Sequence, residues 1–129
     1  MRASLRGLHV FLVVDDADSR ERMRTALERA DALVSVAAST SAALTALEAM
    51  RPDVLLADVG DADERQTTFI TRIRALPRCA EITSIVITAD GDEDARRRLL
   101  AAGYQEHVRR SVDASELCQL VASVAERHA

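Results

Sequence analysis

Lysine is missing. All 17 basic side chains of this 129-residue chain are arginine, set against 21 Asp and Glu for a formal net charge of −4. No side-chain ammonium can take part in whatever chemistry occurs here, and the N-terminal amine is the only one left. Tryptophan is also missing, and the aromatics are Phe11, Phe69 and Tyr104. The core must therefore be aliphatic, and a stacking platform for nucleic-acid bases is not expected. The acidic balance points the same way, against direct nucleic-acid binding. Two cysteines, Cys79 and Cys118, lie far apart with no CxxC or zinc spacing, so two reduced thiols are expected. The four glycines form neither GxGxxG nor GxxxxGK, which removes the common phosphate-loop readings. Long hydrophobic runs are absent as well. Val10 to Val14 stops at Asp15 and Asp16, too short for a signal segment or a membrane span. A cytoplasmic protein without membrane insertion is the expectation.

At 129 residues the chain suits one domain. Such a domain buries roughly 65–70% of the surface its unfolded chain exposes. Hydrophobic periodicity supplies the elements. His9 to Val14 (HVFLVV) reads as a buried strand ending in acid residues. Arg20 to Arg29 reads as a helix, with Met23 and Leu27 on one face and Asp18 or Ser19 as candidate caps. Leu33 to Ala37 is a second strand. Ser41 to Met50 is a second helix, broken by Arg51-Pro52-Asp53. Val54 to Ala57 is a third strand running into Asp58, and Val59 to Gln66 reads as a polar loop. Thr67 to Leu76 is a third helix with Phe69, Ile70 and Ile73 inward. Ile82 to Ile87 is a fourth strand ending at Thr88. Asp90 to Ala102 is a fourth helix stopped by Gly103. A weak fifth strand covers Glu106 to Val108, and Asp113 to Arg127 closes the chain as a helix.

Strand and helix alternate five times over short connections. The expected class is α/β, a single domain over residues 8–127 with a short extension at 1–7. Its core is a five-stranded parallel sheet with helices on both faces, the flavodoxin-like (βα)5 order. Right-handed crossovers put all strand C-terminal ends on one edge, where open α/β sheets bind ligands. Asp15 and Asp16, Asp58, Thr88 and Arg110 each follow a strand and so converge on that rim. Three gathered carboxylates repel one another, which a hard divalent cation relieves. One of them can act as a nucleophile toward phosphorus. Each residue alone also has a plainer use as a turn or cap.

The conjunction resembles the CheY-like receiver domain of two-component response regulators over nearly the whole chain. VFLVVDDADSRERMRTAL is similar to that family's first strand, acid pair and first helix. RPDVLLAD is similar to its phosphoacceptor segment, and FITRIR to its third helix. The resemblance implies Asp58 as phosphoacceptor and Thr88 as the hydroxyl donor to the phosphoryl group. It implies a Mg²⁺ site (with Mn²⁺ or Ca²⁺ as substitutes) from Asp15, Asp16, Asp58 and the carbonyl of Gly60. Asp16 would be the direct ligand of the pair, with Asp15 acting through water. A histidine kinase or histidine phosphotransfer protein would be the phosphodonor. The fourth helix, fifth strand and last helix would contact an effector or a second copy. Such a domain assists its own phosphorylation and dephosphorylation and is primarily a signalling module.

Several positions depart from the family pattern. The lysine-proline pair after the fifth strand falls on Arg110 and Ser111, with Arg109 as a rival for the cationic role. Arginine supplies the charge on a longer, planar, two-pronged head. Met-Pro after the acceptor becomes Asp61 and Ala62, and Asp-Gly before the third helix becomes Arg65 and Gln66. His107 stands at the aromatic switch position. Asp90 is either a helix cap or a residue governing access of hydrolytic water. Arg96, Arg97 and Arg98 read as a solvated, salt-bridged face. Two further readings stay open: a pseudo-receiver working through phosphorylation-independent contacts, and a small phosphohydrolase, against which the lack of room for a substrate pocket argues.

Overall fold

The computed structural model describes residues 3–60, 63–89 and 93–127. In chain order it contains β1 (His9–Val14), α1 (Ala17–Arg29), β2 (Leu33–Ala37), α2 (Thr40–Leu47) and β3 (Val54–Asp58). These are followed by α3 (Asp63–Ala75), β4 (Thr83–Thr88), α4 (Glu93–Ala102), β5 (Glu106–Arg109) and α5 (Ala114–Arg127). The strands form one parallel sheet in the order β2-β1-β3-β4-β5. This is the expected single-domain (βα)5 architecture.

The two-residue period of the strands divides the core into two layers. Phe11, Val13, Leu55, Ala57 and Val86 face α2, α3 and α4, meeting Leu47, Phe69, Ile70, Ile73 and Leu99. Val10, Leu12, Val14, Val54, Leu56 and Ile85 face α1 and α5, meeting Leu27, Leu117, Val121 and Val124. β3 is buried along its whole length because it lies mid-sheet with helices on both sides. Segment 1–7, read from sequence as an extension, contributes Leu5 to the second layer, fully buried and with its N–H donating to the carbonyl of Ala30 at 2.7 Å.

Most element boundaries fall within a residue of the sequence reading, and the larger differences are in α1, α2 and α3. α1 begins at Ala17, and its cap is Asp16, whose Oδ2 accepts from the N–H of Ser19 at 2.9 Å; neither Asp18 nor Ser19 caps it. α2 begins one residue before Ser41 and ends at Leu47, with Ser39 as its cap. α3 begins at Asp63, so part of the expected polar loop is helix. Its first turn is polar, so periodicity starts too late to reveal it. Gln66 is nevertheless in phase with Phe69, Ile70 and Ile73 and lies buried beside them.

Far from the rim, Arg74 fastens the lower ends of β4 and β5. Its guanidinium donates to the carbonyls of Cys79, Ala80, Ile82 and Gly103, to Ser84 Oγ and to Gln105 Oε1. Burial pulls its pKa below the ordinary guanidinium value. Carbonyl dipoles, rather than a carboxylate, hold this charge. Nothing in the apolar periodicity of α3 marks it, because its acceptors come from segments remote in sequence. Gly103 closes α4 at φ +135°, where a Cβ would press within 3.3 Å of Ile70.

Candidate functional site

The rim is built by two backbone ties. The N–H of Asp15 donates to the carbonyl of Asp58 at 3.2 Å, joining the exit of β1 to that of β3. The N–H of Arg110 donates to the carbonyl of Thr88 at 2.8 Å, joining the exit of β5 to that of β4. Asp58 is the last residue of β3 and only 4% exposed. Sequence reasoning thus places Asp15, Asp58, Thr88 and Arg110 on one edge, and the structure brings them there.

The side chain of Arg110 crosses from β5 over the end of β4 to reach β3. Adjacent strands lie about 4.8 Å apart, so the span is two strand spacings, about 10 Å. Its Nε donates to Asp58 Oδ2 at 2.9 Å and its Nη2 to Asp58 Oδ1 at 2.8 Å. This is the two-pronged geometry that arginine makes with carboxylates. Between the two candidates for the cation, the structure selects Arg110. Arg109, which pairs with Thr88 in the sheet register, is exposed.

The acid pair divides. Asp16 turns to cap α1, and the Ser19 backbone N–H holds its carboxyl below the ordinary carboxylate value. Asp15 turns toward the segment after β3. Gly60, at φ +101°, leaves space where a Cβ would stand 3.5 Å from both Asp15 Oδ2 and Arg65 Nη1. Arg65 Nη1 also donates to the carbonyl of Val59 at 3.3 Å. Among the described residues no three acidic, histidine or cysteine side chains gather closely enough to hold a metal ion. The available donors are all oxygen, carboxylates and a carbonyl, which is the chemistry Mg²⁺ takes.

Thr88 Oγ1 donates to the carbonyl of Ala89 and shares a hydrogen bond with Nε2 of His107. His107 is half-buried on β5. Burial lowers its pKa, with Arg96 and Arg109 adding to the effect and Glu93 and Glu106 opposing it. The shift favours the neutral imidazole. Sequence reasoning missed Gln66 here. Its Nε2 donates to the carbonyl of Ile87 at 3.3 Å, and its own carbonyl accepts from Tyr104 Oη at 3.1 Å. It thereby fixes α3 to the residue just before Thr88. Burial pushes the Tyr104 phenol well above its ordinary value.

On α4, Arg96 pairs with Glu93 and Arg97 with Asp94, the solvated face expected there, and Arg127 of α5 reaches Glu106 of β5. Asp61, Ala62 and Asp90 lie outside the described residues, so the readings placed on them have no structural counterpart here. No described helix is long and apolar enough to cross a membrane.

Comparison with known proteins places this rim in context. Residues 10–122 match the family model of the response regulator receiver domain. A 14.6 kDa protein of Leptolyngbya boryana is 33% identical over 118 residues, covering 92% of this chain and 90% of that one. A crystal structure assigned as a response regulator from Chloroflexus aurantiacus is 27% identical, with a TM-score of 0.86 over 93% of this chain and 98% of that one. The receiver domain of a sensor histidine kinase from Pseudomonas aeruginosa, solved with a magnesium ion coordinated in its active-site cleft, has a TM-score of 0.83. It is 21% identical and covers 93% of this chain and 98% of that one, so the likeness is one of fold.

Proposed function

The chain belongs to the response regulator receiver domain family, and on that premise we propose that it accepts a phosphoryl group from a phosphohistidine onto Asp58. The observation that supports this reading is the buried Asp58 carboxylate at the end of β3, gripped by Arg110 in place of the missing lysine. One Asp58 oxygen forms the new bond to phosphorus while the P–N bond to the donor histidine breaks and the imidazole leaves. The Arg110 guanidinium balances charge on the transferred oxygens. The Thr88 hydroxyl, one strand over, turns from His107 to donate to a phosphoryl oxygen.

Asp15, Asp16, Asp58 and the Gly60 carbonyl are the residues that would hold Mg²⁺, with Mn²⁺ or Ca²⁺ as substitutes. When bound, the ion supplies positive charge beside the transferred oxygens. The donor is a histidine kinase or a histidine phosphotransfer protein in the cytoplasm. The readout is a changed contact surface on α4, β5 and α5, offered to an effector or to a second copy. New charge between Thr88 and Arg110 is the local event that biases this surface. The domain assists its own phosphorylation and dephosphorylation and is primarily a signalling module.

The test is intact-mass measurement after incubation with acetyl phosphate and Mg²⁺. Wild type gains one phosphoryl group and Asp58→Asn gains none. Equal behaviour of the two proteins sinks the assignment of Asp58. A second reading, a pseudo-receiver acting through contacts alone, is favoured by two observations: both Asp58 oxygens are engaged by Arg110, and no carboxylate trio is gathered among the described residues. It predicts no mass gain in either protein.

A further inference from the structure

We propose that Arg110 and a divalent cation compete for Asp58, so that the two-pronged arginine clamp holds the metal affinity of this site low. The inference rests on the reading of the rim as a metal-assisted phosphoacceptor site. It concerns what this chain's own cation does there.

The argument starts from lone pairs. A carboxylate offers about four acceptor positions on two oxygens. Nε and Nη2 of Arg110 take one on each oxygen, at 2.9 and 2.8 Å. Each oxygen thus carries one bond to the same planar, positively charged head, on a carboxylate whose side chain is 5% exposed. A cation approaching from the β1 side meets a carboxylate whose charge is already balanced by a neighbour it repels. Guanidinium does not lose its proton at any ordinary pH, so this repulsion cannot be relieved by titration.

The other donors add little pull. Asp16 Oδ2 is committed to the Ser19 N–H at the start of α1. A Cβ on Gly60 would stand 3.5 Å from both Asp15 Oδ2 and Arg65 Nη1, so a second guanidinium lies near the approach. A bound cation therefore has to share Asp58 with a guanidinium that it repels, on a carboxylate whose charge Arg110 already balances. An ammonium in the same place would hold the carboxylate through a point contact and could share it with a metal at smaller cost.

The experiment is Mn²⁺ titration followed by the electron paramagnetic resonance signal of the free ion, on wild type, Arg110→Lys, Arg110→Gln and Arg110→Lys/Asp58→Asn. Circular dichroism melts confirm that each protein is folded. Arg110→Lys and Arg110→Gln should bind Mn²⁺ about tenfold more tightly than wild type, an equilibrium shift of about 1.4 kcal/mol. The gain should vanish in the double variant, because it is Asp58 that is released. Unchanged or weaker binding in both single variants overturns the proposal, as does a gain that survives Asp58→Asn. Intact mass after acetyl phosphate, measured on the same proteins, separates this from the function itself. Absence of phosphoryl uptake with a clear Mn²⁺ gain defeats phosphoacceptance and supports the clamp. Uptake without any Mn²⁺ gain does the reverse.

Discussion

Arg110 and Asp58, 52 residues apart in sequence, meet across the end of β4 in a bidentate ion pair of 2.8 and 2.9 Å. The carboxylate side is buried at 5% exposure, while the arginine keeps 35% of its side chain in solvent. Removing the cation alone leaves a buried charge without its partner, which in a fully enclosed pair costs about 3–5 kcal/mol. Solvent reaches Arg110, so Arg110→Ala should cost less, about 2 kcal/mol in metal-free buffer. In urea unfolding with chelator present, the Arg110→Ala/Asp58→Asn pair should lose less than the sum of its single changes. Strict additivity would show that the pair is not coupled.

Arg74, unlike Arg110, is a cation held without a carboxylate. Its acceptors come from three separate stretches, so its loss releases the start of β4, the end of α4 and Gln105 together. Arg74→Ala should destabilise by about 2–4 kcal/mol, since several buried carbonyls lose their donor. Arg74→Lys should recover only part of this, because a point charge cannot fork to that many carbonyls. Chemical denaturation of the two variants measures the difference.

Tyr104 is the only tyrosine, and the chain has no tryptophan. Its phenol donates to the carbonyl of Gln66 and is held well above its ordinary value by burial. The folded state binds this proton more tightly than the unfolded chain. The resulting stability is fully present below the ordinary phenol value, near pH 10, and is lost as pH rises beyond it. Phenolate absorbance should therefore appear together with alkaline unfolding and not before it. A separate, earlier phenolate rise in folded protein would contradict the buried hydrogen bond. Tyr104→Phe should cost about 1 kcal/mol.

His107 shares its Nε2 with the hydroxyl of Thr88 and is held below its ordinary value chiefly by burial, then by Arg96. Below the ordinary imidazole value the unfolded chain takes up the proton more readily than the folded one. Stability from this residue is therefore full above about pH 6.5 and is lost as pH falls toward the lowered folded value. Thermal melts between pH 7.5 and 5.5 should show a falling Tm that flattens in His107→Gln. An identical pH slope in the two proteins would remove His107 from the account.

Much of this could be read along the chain. The apolar strands, four of them running into a polar residue, specified five βα units and a rim carrying Asp15, Asp16, Asp58, Thr88 and Arg110. The reason is local: strand periodicity and short connections leave a parallel sheet few alternatives. The start of α3 was less legible, because its first turn, Asp63 to Gln66, is polar and reads like a loop. Gln66, Arg74 and Gln105 were not legible at all, since their partners are brought to them only by packing.

Lysine's absence was determined by composition, and with it the fact that any permanently charged side chain facing Asp58 must be a guanidinium. Which arginine it would be was not. Arg109 ends β5 and is exposed, while Arg110 opens the turn beyond it with its N–H tied to the carbonyl of Thr88, and that tie exists only once β5 lies beside β4. The same holds for the acid pair. The sequence places two carboxylates together, but the cap at Ser19 takes one and the turn at Gly60 faces the other, a division made by backbone geometry in three dimensions.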